Sequence, residues 1–229
     1  MASFRLGERR DTGDITGQVV EESAAPVSQE ALEAALPAFR GEILQVPPMY
    51  SAVSVNGKRL YQLARKGIEV ERQARPVTVS RLELLSYDPQ TREGTLQVAC
   101  SKGTYIRTLL EQIAEAMGQL GTMSALRRTS AGLYTEADAH TLEQILAAKA
   151  EGPQALQALA LPVESAFEPL PLLVVEPWVE QHLYNGCPTS HYPAADGRYR
   201  VRSTDGGFLG LAQINGGVLK VEKLFVERS

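Results

Sequence analysis

Cys100-Ser101-Lys102-Gly103-Thr104-Tyr105-Ile106-Arg107-Thr108-Leu109 decides how this chain is read. Leu96, Val98 and Cys100 alternate with polar neighbours, which predicts a strand. Gly103 then breaks it. Beyond Gly103, Ile106, Leu109, Leu110, Ile113, Ala114 and Met117 fall at helical spacing, and Gly118 suits the residue that follows a helix end. A strand-turn-helix unit therefore sets a hydroxyl, a phenol and two cations close together. Backbone N–H groups at a helix start favour anions, and Lys102 adds positive charge beside them. Arg107 lies one position off the apolar stripe, so it projects from the first turn to where a carboxylate can meet it. Taken by themselves these residues fit equally a capped helix with solvated cations.

Outward from this unit, Val77 and Val79 predict a further strand, and Ser28 an N-cap for a helix carrying Leu32, Ala35, Leu36 and Phe39 on one face. Pro37 should kink or end that helix. Phe4-Arg5-Leu6-Gly7 reads as the end of a strand, followed by a polar, turn-rich run over 8–17. Such a start in mid-strand predicts a sheet whose partner strands are missing. Pro47-Pro48 breaks regular structure, and Asn56-Gly57 signals a tight turn. Thr141 and Gln144 have capping-box spacing. Towards the C-terminus, Asp205-Gly206-Gly207 and Asn215-Gly216-Gly217 separate strands at 199–202, 208–214 and 218–226, as in successive hairpins. The prolines at 162, 169 and 171 suggest a domain boundary near Leu170.

The net charge of −4 argues against nucleic acid, but its distribution does not. Residues 51–130 carry +5 and the remainder −9. A cationic middle between acidic ends is compatible with a local anion-binding surface and equally with a solvated mixed-charge face. No apolar run is long enough to span a bilayer, and the N-terminus lacks the apolar core of a signal peptide. Cys100 and Cys187 stand far apart and the three histidines are scattered, which argues against a metal site or a disulfide framework. The expectation is a soluble, cytoplasmic protein with no metal and no membrane association.

The stretch Cys100 to Thr108 resembles the signature of the bacterial tRNA pseudouridine synthase B family. Three further stretches resemble the same family in the same order. They are Leu6-Gly7 with Asp11-Thr12-Gly13-Asp14; Pro47-Pro48-Met49-Tyr50-Ser51-Ala52-Val53 with Gly57-Lys58-Arg59-Leu60-Tyr61; and Leu126-Arg127-Arg128-Thr129-Ser130-Ala131-Gly132. Together they cover roughly residues 4 to 135. The resemblance implies an α/β (α+β) fold. A mixed, largely antiparallel pseudouridine-synthase sheet flanked by helices would occupy 1–170, and a small β-barrel-like PUA-type RNA-binding domain 171–229.

The resemblance also implies an activity. The family isomerises one uridine in the T loop of tRNA to pseudouridine-55, breaking the C1′–N1 bond, turning the base and rejoining it through C5. The target must leave its stack, which costs a few kcal/mol. By resemblance Tyr105 contacts the flipped base, Leu126 lines the pocket, Lys102 belongs to the substrate-binding set and Arg107 pairs with the catalytic aspartate. A planar guanidinium suits that task, since it binds a carboxylate through parallel hydrogen bonds and keeps it ionised. Without the resemblance, Tyr105 reads as an aromatic packed on the sheet and Leu126 as a core leucine. Residues 48–76 resemble the segment that closes over the T arm. There Tyr50, Lys58, Arg59, Arg65 and Lys66, with Arg127 downstream, are the expected RNA-binding residues. The isomerisation is redox-neutral, so no cofactor is implied, and the expected partner is tRNA through its T arm.

The family's catalytic aspartate sits in a GxLDP-type motif, and these 229 residues contain no Leu-Asp-Pro. Asp11 and Asp14 match acidic positions that the family has in addition to its nucleophile, so neither is expected to replace it. Arg10 stands where the family usually has threonine. The expectation is a fragment or mis-called start of a synthase that is inactive without its N-terminal aspartate segment. Two other readings remain: half of a protein completed by another polypeptide, and a non-catalytic tRNA-binding or tRNA-folding module.

Overall fold

The computed structural model of the protein describes residues 1–55 and 57–225. Asn56 of the expected tight turn and Val226 of the expected last strand lie outside the described residues. The chain divides into two compact units, residues 1–131 and 132–229.

The first unit runs β1 (Ala2–Leu6), β2 (Glu8–Arg10), β3 (Val19–Glu22), α1 (Gln29–Ala35), β4 (Gly41–Gln45), β5 (Ser54–Val55), β6 (Lys58–Arg59), α2 (Leu60–Ala64), β7 (Arg75–Asp88), β8 (Glu93–Cys100), α3 (Ile106–Ala116), β9 (Gly121–Leu126) and β10 (Ser130–Ala131). Its main sheet has the order β4-β7-β8-β1-β9, with every neighbouring pair antiparallel. The first strand, β1, is bonded to β8 on one side and β9 on the other.

Alternation along β1 buries Ala2, Phe4 and Leu6 on one face of this sheet. Against that face pack Leu32 and Leu36 from the α1 region and Leu109, Leu110, Ile113 and Ala114 from α3. The helix ends follow their local chemistry. Ser28 accepts from the Ala31 N–H at the start of α1. Pro37 has no N–H to extend α1, which gives way to a 3-10 turn over Leu36–Phe39. Gly118 leaves α3 with φ +67°.

The second unit contains β11 (Tyr134–Thr135), α4 (Leu142–Glu151), α5 (Pro153–Ala158), β12 (Leu172–Val175), α6 (Pro177–Tyr184), β13 (Gly197–Ser203), β14 (Phe208–Asn215) and β15 (Val218–Leu224). The capping box of Thr141 and Gln144 opens α4. The hairpins β13-β14-β15 form, and β12 joins β13 in parallel. Among the described residues these strands make a four-stranded sheet rather than a closed barrel. Val179 and Leu183 of α6 fill its core with Val201, Leu209 and Ile214. Buried Glu164 accepts from both Arg200 and Arg202, and Arg200 also donates to the Leu170 carbonyl at 3.1 Å. That clamp ties the 3-10 turn over Val163–Phe167 to β13.

Gly94 shows how tightly the first sheet packs. A Cβ there would lie 2.5 Å from Phe4 Cζ and 2.7 Å from the Ser86 carbonyl oxygen. Gly94→Ala is expected to destabilise the protein by about 1–3 kcal/mol through overpacking. Equilibrium urea unfolding of the two proteins measures the difference.

Candidate functional site

The turn between β8 and α3 is built from its own hydroxyls. Ser101 Oγ accepts from the Thr78 N–H at 3.0 Å, Thr104 Oγ1 donates to the Ser101 carbonyl at 2.9 Å, and Gly103 takes φ +86°. Tyr105 occupies the N-cap position of α3 in an extended conformation and makes no side-chain cap bond. Its backbone is held from another element. The Tyr105 N–H donates to Gln45 Oε1 at 3.0 Å, and Gln45 Nε2 donates back to the Tyr105 carbonyl at 3.3 Å.

Arg107, in the first turn of α3, gathers three segments. Nη1 donates to the Thr12 carbonyl at 2.8 Å and to Asp14 Oδ2 at 3.2 Å, and Nη2 donates to the Tyr50 carbonyl at 2.8 Å. Both partners of the Arg107–Asp14 pair are about four-fifths buried. The other Asp14 oxygen accepts from the Thr16 N–H, the Thr16 hydroxyl and the Thr12 hydroxyl. Burial pushes this carboxyl up, but the Thr16 and Thr12 hydrogen bonds and the Arg107 charge prevail and hold it below the usual aspartate range. The turn carrying Asp14 is fixed to β9, where Met123 N–H donates to the Gly13 carbonyl and Ile15 N–H to the Met123 carbonyl. Gly13 lets the turn press on α3: a Cβ at that φ of +74° would stand 2.8 Å from Glu111 Oε1. Glu111 behaves oppositely to Asp14. Burial and neighbouring Glu115 push its carboxyl up, and the charges of Arg107 and Arg9 offset this only in part.

Of the residues expected from the sequence, Arg107 and Tyr50 are joined directly and Tyr105 stands beside them at the helix start. Leu126, at the end of β9, is 53% exposed and so is not a core leucine. Lys102 is exposed on the turn. Lys58 and Arg59 are exposed on β6, and Arg65 and Lys66 are exposed just after α2. This basic segment is anchored by Leu60, which is fully buried and donates its N–H to the Val53 carbonyl. The Arg65 guanidinium lies 5.4 Å from the Tyr61 ring centre. Arg127 is exposed, and its backbone exchanges hydrogen bonds with Met1.

A cleft of about 410 Å³ adjoins the Arg107 junction, lined among others by Asp11, Glu69, Glu111 and Glu115. Its one cation, Arg72, donates to Glu69 and to the Pro47 carbonyl. No group of metal-binding side chains occurs among the described residues, and no helix among them is long and apolar enough to cross a membrane. Sequence reading missed Gln45 and Glu111 and gave Asp14 no partner. The available signal for Gln45 is a polar residue at an inward position of β4, where Ile43 two residues earlier is also turned inward.

Comparison with known proteins bears on this geometry. The TruB family pseudouridylate synthase N-terminal domain matches residues 1–106, and the tRNA pseudouridylate synthase B C-terminal domain matches residues 107–168. The chain is 42% identical over 213 residues to tRNA pseudouridine synthase B of Pseudomonas paraeruginosa, covering 92% of this chain and 69% of that protein. It is 38% identical over 232 residues to the Haemophilus influenzae protein of the same name, covering 99% and 74%. Among solved structures, a Cbf5-Nop10-Gar1 complex matches with a TM-score of 0.66 at 21% identity, covering 98% of this chain and 66% of that one. An H/ACA RNP bound to a substrate RNA containing 2′-deoxyuridine matches with a TM-score of 0.67 at 19% identity, covering 99% and 66%. The chain thus spans just under two thirds of the length of these structural neighbours, and they bear on the fold alone.

The two carboxyls beside Arg107 should show opposite pH signatures. Asp14, held low in the folded state, contributes stability that is complete above the ordinary aspartate value of about 4 and is lost as pH falls through its folded value. Asp14→Asn should therefore cost roughly 1 kcal/mol at pH 7 and progressively less below about pH 4. Glu111, held high, favours folding below its ordinary value of about 4.3 and opposes it as pH rises through its folded value. Glu111→Gln should raise the melting temperature at pH 7 and lose that gain in acid. Thermal melts of the three proteins from about pH 3 to 8 measure both signs.

Proposed function

The chain belongs to the TruB pseudouridylate synthase family, and from that premise we propose that it grips the T arm of tRNA in the cytoplasm and presents one flipped uridine for isomerisation to pseudouridine. The observation that carries the reading is the Arg107 junction. One guanidinium at the start of α3 holds the Asp14 turn and the Tyr50 loop together beside Tyr105. The reaction needs a detached base kept in register while the C1′–N1 bond breaks and a bond from C1′ to C5 forms. Tyr105 offers an aromatic face to that base, and Leu126, exposed on β9, an apolar wall. Lys102 belongs to the same substrate-binding set.

By the family resemblance the role of Arg107 is to pair with the catalytic aspartate and keep it ionised, as its charge helps to do for Asp14. Its terminal nitrogens make three hydrogen bonds here, two to carbonyls and one to Asp14, so its plane is fixed before any substrate arrives. The step that a carboxylate performs on the nucleoside is assigned to a GxLDP-type aspartate, a motif absent from these 229 residues. Isomerisation by them therefore requires that segment to be supplied. The exposed cations Lys58, Arg59, Arg65, Lys66 and Arg127 meet phosphates, with Tyr50 beside them, which accounts for a positive middle in an acidic chain. We assign the sheet of β12 to β15 to additional RNA contact, in keeping with a PUA-type role.

The test uses the purified chain and an unmodified tRNA transcript, with filter binding at several salt concentrations and an assay for T-loop pseudouridine. Binding that weakens with salt, without product, is expected. Lys58→Ala and Arg59→Ala should each weaken binding and lower the salt slope by about one. Product formed by these residues alone would refute the assignment of the nucleophile and make Asp14 the first residue to mutate. Absence of salt-dependent binding would refute the whole reading.

A further inference from the structure

Tyr105 begins α3 without a side chain suited to cap it, yet its backbone is fully engaged. Gln45 does that work. Its side chain is 1% exposed, and its amide takes the Tyr105 N–H and returns an N–H to the Tyr105 carbonyl. Exchange of both bonds with a single residue is what a neighbouring antiparallel strand does for a hydrogen-bonded pair. Tyr105, at φ −96° and ψ 108°, has the extended backbone for it. The Gln45 amide is thus a one-residue substitute for a strand, placed where the sheet has ended and the helix has not begun.

The orientation of this amide is itself fixed. Gln112, two turns further along α3, donates to the Leu44 carbonyl at 3.0 Å and turns its Oε1 towards Gln45 Nε2 at 3.5 Å. An acceptor on that side selects the rotamer with Nε2 towards the Tyr105 carbonyl. Gln45 also closes β4, directly before the segment that carries Tyr50 to Arg107.

We infer that Gln45 is a positioning residue, which sets the register of Tyr105 against the flipped base by clasping its backbone. This rests on the reading of Tyr105 given above. A burial role alone would make Gln45 matter for stability. A positioning role makes it matter for recognition of the base through Tyr105.

The experiment separates the two. T-arm hairpins carrying either uridine or an abasic sugar at the target position are titrated against the full chain by fluorescence anisotropy. The affinity ratio isolates recognition of the base from the grip on phosphates. Stacking on one aromatic residue is worth about fivefold to a hundredfold, and Tyr105→Ala should remove a factor in that range. Gln45→Met, of similar size and without an amide, should remove a comparable factor while leaving abasic-hairpin affinity within about twofold. The double variant should lose no more than Tyr105→Ala does.

A full preference in Gln45→Met, or losses that multiply in the double variant, would overturn the inference while leaving the Tyr105 reading intact. No preference in the unmutated chain, or an undiminished one in Tyr105→Ala, would overturn that reading and this inference with it. Should Gln45→Met fail to fold, Gln45→Glu serves, since it keeps an acceptor for the Tyr105 N–H and drops the donor to its carbonyl. A reduced preference there supports the clasp, and an undiminished one refutes it.

Discussion

The Arg107 guanidinium is the constraint on which the candidate site depends. It reaches from α3 to a turn before residue 20 and to a loop near residue 50. Two of its three acceptors are backbone carbonyls, so most of what it fixes is chain path rather than charge. Asp14 adds the charge, and the Thr12 and Thr16 hydroxyls make that aspartate a stiff partner. A lysine at this position would present a point charge, without the planar fork that divides its donors among three acceptors.

Most of the fold was legible because its signals are local. The α3 stripe, the Ser28 cap, the Thr141–Gln144 box and the glycine-marked hairpins each depend on a few neighbouring residues, and each formed. The place of β1 was not legible. Its alternation predicts a strand, but pairing with β8 and β9 is made by residues 88 to 124 positions away, which no local pattern encodes. The barrel-like C-terminal domain implied by the family resemblance is seen among the described residues as a four-stranded sheet. Hairpins set which strands are antiparallel neighbours, whereas closure needs bonds between strands remote in sequence.

The site divides in the same way. Tyr105 and Arg107 are marked by the resemblance of Cys100 to Thr108 to the family's signature; by themselves they read equally as a packed aromatic and a solvated cation. Gln45 has only the weak mark of a polar residue at an inward strand position, and its partner lies 60 residues on. Glu111 was hidden for a related reason. On the helical wheel it is a solvated acid, and only the approach of Gly13 turns it into a half-buried carboxyl.

Charge decides between the two surfaces that meet at Arg107. The cleft is an obvious place to put a ligand by shape, yet four carboxylates line it and its arginine already has partners. A polyanion entering there would meet like charge at short range in a partly desolvated space, which costs more than any nearby cation returns. The exposed cations from Lys58 to Lys66 lie in water, where each contributes modestly but counterion release makes their contributions accumulate. On charge, the RNA contact proposed above fits the exposed cations at 58–66 better than it fits the cleft. Within that acidic cleft, burial and neighbouring Glu115 hold the Glu111 carboxyl above its ordinary range, and the charges of Arg107 and Arg9 offset this only in part.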